Sequence, residues 1–485
     1  METNEQVKTA LVQEAEHEIV NLLKRMQELK AGDLQGVEQE VLASMFRLGR
    51  TTLQGLIQAQ VETQETPARR EGACGHEQRL VSQRPKQVLT LLGAITIQRA
   101  YYQCLHPTQE RDGTRPCTHG EAPADALWGI GERRTSAGVQ QAVSYLGASL
   151  TLEETAAVFS RLFPLQMSAR QALYLMQPVG EALAVAEQAQ VEALWEEAAQ
   201  KCTTPSSPRS PSDEALERLY IQLDGVMARL RRGSVPMEQD EQQRRGDVYR
   251  EIKVGAVFAA QPGRERSELV PGAWVDAPVE GSLQYVSQRT ALGDFGRRLY
   301  ALAVQAGLSR ATQVVVLGDG ARWLWRLVEE HFPGAVQIVD VWHAQEHVWE
   351  VAQAVFGRST PEGIAWATQG CTWLVQGEIE ALVQAIAALP PVAPPAGQTK
   401  RVPEQAIGYF TTNAERMRYP AFRAQGMQIG SGIAEAACKT VVSTRAKRAG
   451  MRWTPAGLDA LLPLRTAVLN GSFDAFWLGR SHALT

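Results

Sequence analysis

Three kinds of hydrophobic pattern follow one another along the chain, and each predicts a different structure. Over residues 5–62 apolar positions recur at helical spacing, with Val7, Leu11, Ile19, Leu22, Leu23, Met26 and Leu29 on one stripe. A break at Ala31-Gly32-Asp33 divides this stretch into two amphipathic helices. They read first as a helical hairpin packed on its own chain, with a dimer-forming coiled coil as the alternative. Residues 86–104, KQVLTLLGAITIQRAYYQC, switch to a period near two and to β-branched and aromatic types, which predicts a hairpin around Gly93-Ala94. From Ser149 the segment SLTLEETAAVFSRLFPLQMSARQALYLMQ returns to helical spacing. Ser149 or Thr151 can cap one helix and Ser168 a second, with a turn through Phe163-Pro164, the spacing of a helix-turn-helix.

The second half has an ordered α/β pattern framed by two Pro-rich stretches. CTTPSSPRSPSDE (Cys202–Glu214) has the composition of a linker, and LPPVAPPAGQTKRVPE (Leu389–Glu404) interrupts helical sequence on both sides. Between them RLYIQLDGV, YREIKVGAVFAA and SLQYVSQRT read as three strands in a meander. The helix DFGRRLYALAVQAG then leads to the strand TQVVVLGDG, and another helix leads to the strand AVQIVDVWH. A meander followed by alternating strand and helix predicts an α/β fold with a sheet of mixed direction. The chain closes with a helix from about Ile433 to Ala449 and the run GMRWTPAGLDALLPLRTAVLN. The division that follows is an N-terminal helical region (1–65), a small β region (66–125), a helical region (126–200), a linker (201–215) and an α/β domain (216–477) with a helical insertion at about 358–425.

Composition narrows the class. The 485 residues suit two or three domains, and 44% hydrophobic with 21% charged residues is ordinary for a globular protein. A net charge of −4 gives no global sign of a polyanionic partner, so charge has to be read locally. No stretch reaches the ~18 apolar residues of a membrane span, and the acidic start METNEQVKTALVQEAEHE does not look like a signal peptide, so a cytoplasmic protein with no membrane partner is expected. Six cysteines in so long a chain predict reduced thiols or metal ligands, not a disulfide scaffold.

The chemistry starts from VVVLGDGARWLW, where four apolar residues run into Asp319 between two glycines. Asp224 ends the first α/β strand in the same way, and Glu435 sits in the first turn of the late helix. Singly each has a bland reading. Asp-Gly is a favoured turn pair, and a glutamate near a helix N-terminus is favoured by the macrodipole. Together they change the picture, because carboxylates at strand ends of an α/β sheet stand where ligands bind. Three converging carboxylates predict Mg²⁺ or Mn²⁺, and two such ions can bracket a phosphodiester.

QLDGV with Asp224, VVVLGDGARWLW with Asp319 and IGSGIAEAACKTVVSTRAKRAGMRW with Glu435 resemble the three acid blocks of DDE transposases of bacterial insertion sequences, the ISKra-type group. LLGAITIQRAYYQC and DFGRRLYALA extend the likeness over most of residues 74–477. The resemblance implies a ribonuclease H-like core, cleavage of mobile-element ends, transfer of the freed 3′-hydroxyl to target DNA, and a homodimer or higher oligomer acting on nucleoid-associated DNA. It also implies that Asp340 and His343, in DVWH, support the site as an Asp-x-x-His motif. The acid separations of 95 and 116 residues leave room for the insertion.

Local charge agrees with a DNA partner. Residues 415–465 hold nine basic residues against three acids, and Lys439, Arg445, Lys447, Arg448 and Arg452 are the candidate phosphate contacts. Trp453 among them is expected to pack. Cys-x-His occurs three times, at Cys74/His76, Cys104/His106 and Cys117/His119, where chance gives about 0.1 pairs. Cys104, His106, Cys117 and His119 form the most compact zinc set, in a region expected with the helix-turn-helix to recognise DNA. Similar transposases have Cys-x-x-Cys pairs here, a departure in this chain. Two rival readings stand: a catalytically inactive DNA-binding regulator, and a zinc peptidase using His343-Ala-Gln-Glu346-His347 with Glu378 or Glu380 as third ligand.

Overall fold

The two N-terminal helices form where the apolar spacing places them, α1 (Glu2–Gln27) and α2 (Leu34–Glu62), with the Asp33 carboxylate capping α2 through the Gly36 N–H. The structure is a computed structural model and describes residues 2–29, 32–104, 117, 119–130, 134–200, 215–231, 248–266, 274–289, 292–393 and 401–482. The linker stretch 202–214 lies outside the described residues. The chain divides into two units, Met1–Val179 with Asp474–Thr485, and Gly180–Phe473.

In the first unit an antiparallel sheet follows the helices, in the order β1 (Arg69–Glu71), β2 (Glu77–Thr90), β3 (Gly93–Cys104), β4 (Gly120–Glu121). The hairpin turns at Leu91-Leu92, with Thr90 paired to Gly93, and β2 begins well before the point where the period-two pattern is clear. Val88, Ile95 and Ile97 face Ile57 and Val61 of α2. On the outer edge of β3, Gln54 and Gln58, one helical turn apart, accept the Thr96 and Gln98 N–H groups, which closes an edge that would otherwise invite pairing. Beyond the sheet lie α3 (Pro123–Leu127), α4 (Ala137–Ser149), α5 (Leu152–Leu162) and α6 (Ala169–Gln200). Thr151, not Ser149, caps α5, in a reciprocal box with Glu154. The second helix of the supposed helix-turn-helix is 32 residues long, with Pro178 inside it.

The second unit is built on a mixed sheet of β5 (Leu216–Leu230), β6 (Val248–Arg266), β7 (Trp274–Pro278), β8 (Gln284–Gln288), β9 (Ala311–Gly318) and β10 (Val336–Val339). The order is β10-β9-β5-β6, with β7 and β8 both pairing along the far edge of β6. β5, β9 and β10 are parallel, and β6 runs against β5. The mixed direction follows the expectation; β7 is a strand that the sequence pattern did not reveal. α7 (Leu292–Gln305) and α8 (Arg322–His331) connect the strands and bury Leu299, Leu324 and Leu327 in the core with Leu219, Val316 and Ile338. After α9 (Val341–Phe356) the insertion supplies α10 (Pro361–Gln376), α11 (Ile379–Ala387), α12 (Val402–Asn413) and α13 (Tyr419–Ala424). α14 (Gly432–Ala437) continues without a break into a π-helical segment (Cys438–Ser443) and a last turn, α15 (Thr444–Ala446), before α16 (Pro455–Leu469) and α17 (Phe473–His482).

One contact in this unit is tight enough to test the packing. A Cβ on Gly180 of α6 would sit 1.9 Å from the Ala460 carbonyl oxygen of α16. Because the obstacle is backbone, the helices themselves must move. Gly180→Ala is therefore expected to destabilise the protein by about 1–3 kcal/mol in thermal or urea melts. Gly408→Ala, with nothing within 4 Å of its Cβ position, should be neutral or slightly stabilising.

Candidate active site and metal cluster

Strand register fixes the first two acids. β5 pairs with β9 up to Gln222↔Leu317, so Asp224 and Asp319 stand level, one strand apart. β9 ends at Gly318, whereas β5 runs on to Leu230 beside β6. Asp224-Gly225 is thus neither a turn nor a strand end, as its composition suggested. It lies mid-strand opposite Val254 and Lys253 of β6. Asp319 begins the loop into α8. Its Oδ1 accepts the Ala321 N–H at 2.9 Å, and its carbonyl accepts the Tyr409 hydroxyl at 2.9 Å. Gly320 has φ +90°, and a Cβ there would meet the Tyr409 ring at 2.7 Å, so both conformation and space require glycine.

Asp224 is half-buried. Its Oδ1 accepts the Gly225 N–H at 2.6 Å, and its carboxylate also accepts the Cys438 thiol. Burial raises its carboxyl above the usual range; Gly225, Cys438 and His343 oppose the rise, and the charge of Asp319 adds to it. Two carboxylates that repel across neighbouring strands create a demand for positive charge. Glu435 is exposed on the helical turn before Cys438, and its charge acts on that thiol, which burial and Asp224 push up. The oxygens of the three acids do not all lie within 4.8 Å of one another.

Asp340 organises the surroundings. It is 3% exposed. Its Oδ1 caps α9 by accepting Trp342 N–H at 2.6 Å and His343 N–H at 3.3 Å. Its Oδ2 accepts the Ser431 N–H at 2.6 Å and the Ser431 hydroxyl. One carboxylate therefore ties the end of β10 to the residue that starts the Glu435 helix. Gln222, two residues before Asp224, does the same from the central strand, since its Oε1 accepts the Ala434 N–H at 3.0 Å. Burial alone would lower His343, but Asp340, Glu346 and Asp224 together lift it above its ordinary value. Asn at 340 offers one acceptor oxygen where four donors converge. Asp340→Asn should cost on the order of 2–3 kcal/mol by denaturant titration.

The basic block divides. Lys439, Lys447, Arg448 and Arg452 are exposed. Arg445 is fully buried, its guanidinium 5.1 Å from the Trp453 ring centroid, so it cannot meet a phosphate and leaves the contact set. Helical phase was invisible to a count of charges. Trp453 packs, as expected, with its indole N–H on the Ala446 carbonyl at 3.0 Å. In the π segment the Thr444 N–H reaches back to the Lys439 carbonyl. The Thr440 carbonyl that it passes over receives the Arg465 guanidinium at 2.8 Å and the Thr444 hydroxyl at 3.0 Å.

The zinc set also changes. Cys74, His76, Cys104 and Cys117 bring one ligand atom each within 4.8 Å of one another. His106 lies outside the described residues, and His119 turns to Glu121 at 3.2 Å. The β2/β3 register pairs Gln78 with Cys104, which brings the turn before β2 to the end of β3. Sequence spacing gives no sign of that closure. The site fits zinc, because Zn–S bonds of ~2.3 Å set tetrahedral sulfurs roughly 3.8 Å apart. The backbone at His76 holds the Cys74 thiol below its usual range. The backbone at His119 pulls Cys117 down, but burial and the neighbouring thiols outweigh it and leave Cys117 raised.

The two histidines of the H-x-x-E-H pattern turn to acids on their own helix, His343 to Glu346 at 3.1 Å and His347 to Glu350 at 2.9 Å. Among the described residues they gather no third ligand. A cavity of about 690 Å³ lined by Trp195, Tyr300, His331 and Phe332 lies by the opposite ends of β9 and β10, and none of the acids lines it.

No protein-family model matches the sequence, and no curated protein matches it. Among solved structures the chain is similar to the Drosophila P element transposase strand transfer complex, at 10% identity over 70% of this chain and 80% of that one, with a TM-score of 0.23. A likeness that loose carries no argument.

Proposed function

We propose that the chain is a transposase of the DDE type, which cuts the ends of its mobile element and joins the freed 3′-hydroxyl to target DNA. The observation that carries this reading is Asp224 on β5 level with Asp319 just past the end of β9, the parallel strand beside it, with the Glu435 helix docked on Asp224 through Cys438. The strand order, β6 antiparallel to β5 with β7 and β8 along its far edge and β9 and β10 parallel on the other side of β5, supports a ribonuclease H-like core. Asp224, Asp319 and Glu435 would hold Mg²⁺ or Mn²⁺, since carboxylate oxygens are the donors those ions prefer. A bound ion supplies charge neutralisation at the phosphate and activation of the attacking oxygen. The chain's own residues do the rest. Lys439, Lys447, Arg448 and Arg452 grip the DNA backbone, His343 supports the site beside Asp224, and Asp340 and Gln222 set the helix that carries Glu435.

The test is incubation of purified protein with duplexes spanning the flanks of its own coding region, with Mg²⁺ or Mn²⁺. Nicks leaving 3′-hydroxyls, joining to a plasmid, and loss of both in EDTA are expected. Tight binding without cutting in either metal would establish the inactive-regulator reading instead. Peptide hydrolysis that disappears in Glu346→Gln would establish the peptidase.

A further inference from the structure

The α1/α2 hairpin is built inside out over its free end. Contacts across it set its register: Gly55 lies against Leu11, Glu18 bonds Ser44 and Arg47, and Arg25 bonds Glu40 and Ser44. Where Ser44 sits, only 1% exposed, the seam between the helices is thus occupied by ions and a hydroxyl. At the same levels the outward positions are apolar: Ile19, Val20 and Leu23 on α1, and Val41, Leu42 and Met45 on α2, are 38–59% exposed. Val12 and Leu34 prolong the two rows at the seven-residue spacing of a helix-packing stripe. Farther along, α2 has its partner, since Ile57 and Val61 bury against the sheet. The projecting end has none among the described residues.

We propose that this hairpin end is the self-association surface of the chain, on which two copies pack as an antiparallel four-helix bundle. A second copy fits for three reasons. At about 100 Å² for each exposed side chain the patch offers roughly 600–800 Å² per copy, close to the ~800 Å² per partner of a stable interface. Such a patch is larger than single scattered apolar residues require. Charge is complementary under a two-fold axis: Glu16 and Lys24, both exposed, stand four residues either side of Val20, so an axis crossing α1 at Val20 sets each against its opposite on the other copy.

Light scattering on the full chain without DNA tests this independently of the catalytic reading. Wild type should run at about twice its 53.2 kDa mass at micromolar concentration. Leu23→Glu with Leu42→Glu should run as the monomer. Lys24→Glu should weaken association at least about tenfold, and adding Glu16→Lys should restore it, a rescue that a misfolded variant cannot give. A monomeric wild type, dimers that survive the leucine changes, or a charge swap without rescue would each overturn the proposal.

Discussion

Glu435→Gln is expected to lower metal-dependent DNA cleavage by about 10²-fold or more while leaving the fold and DNA binding in place. Glu435 is exposed on a helix, and glutamine has nearly the same helix propensity, so folding has little to lose. What would be lost is one anionic ligand of the proposed metal site. Removing a negative charge near the phosphates should hold binding steady or tighten it. Lys439→Ala and Lys447→Ala should do the reverse, weakening binding and its salt dependence while sparing the metal site. Arg445→Ala belongs in neither class: its buried guanidinium packs on Trp453, so it should destabilise the fold. Cleavage and gel-shift binding measured on one duplex separate these effects. Full cleavage by Glu435→Gln in Mg²⁺ would reduce Glu435 to a helix-end carboxylate.

The second large effect concerns the cysteine cluster. Purified protein is expected to contain about one zinc per chain, and Cys74→Ala with Cys104→Ala should remove it. Structural zinc contributes apparent free energies of ~10–16 kcal/mol in small peptides, so losing it should unfold the β1–β4 region locally. Proteolysis would then cut near the hairpin in the variant and in chelator-treated wild type. His119→Ala should leave zinc and protease resistance unchanged, since that ring faces Glu121. Well-folded protein without zinc would end the assignment and leave the proposed cleavage chemistry untouched.

What could be read from the sequence was whatever depends on local order. Helical and two-residue periods placed α1, α2, the β2/β3 hairpin and the strands around Asp224 and Asp319. Whatever depends on which distant segments meet was closed to that reading. Cys74 joins Cys104 only through strand register, and Arg445 turns inward onto Trp453, a residue eight positions on. Gln222 as an anchor of the third-acid helix was equally hidden, and the motif gave Asp340 a supporting role without its partner, because the partners lie 212 and 91 residues away. The convergence of the three acids remains the reading of the motif. Register places two of them, and Cys438 connects the third.

The π-helical segment sets an angle as well as a hydrogen-bond pattern. Each α-helical residue turns the chain by about 100°, so one residue more or fewer between 438 and 443 would rotate everything after it by that amount relative to Glu435. Lys447 and Arg448 would then face a different side of the molecule from the acid, with every side chain still present. The widened turn acts as a phase setting between the group proposed to cut and the groups proposed to hold. In this stretch chain length should be harder to change than residue identity.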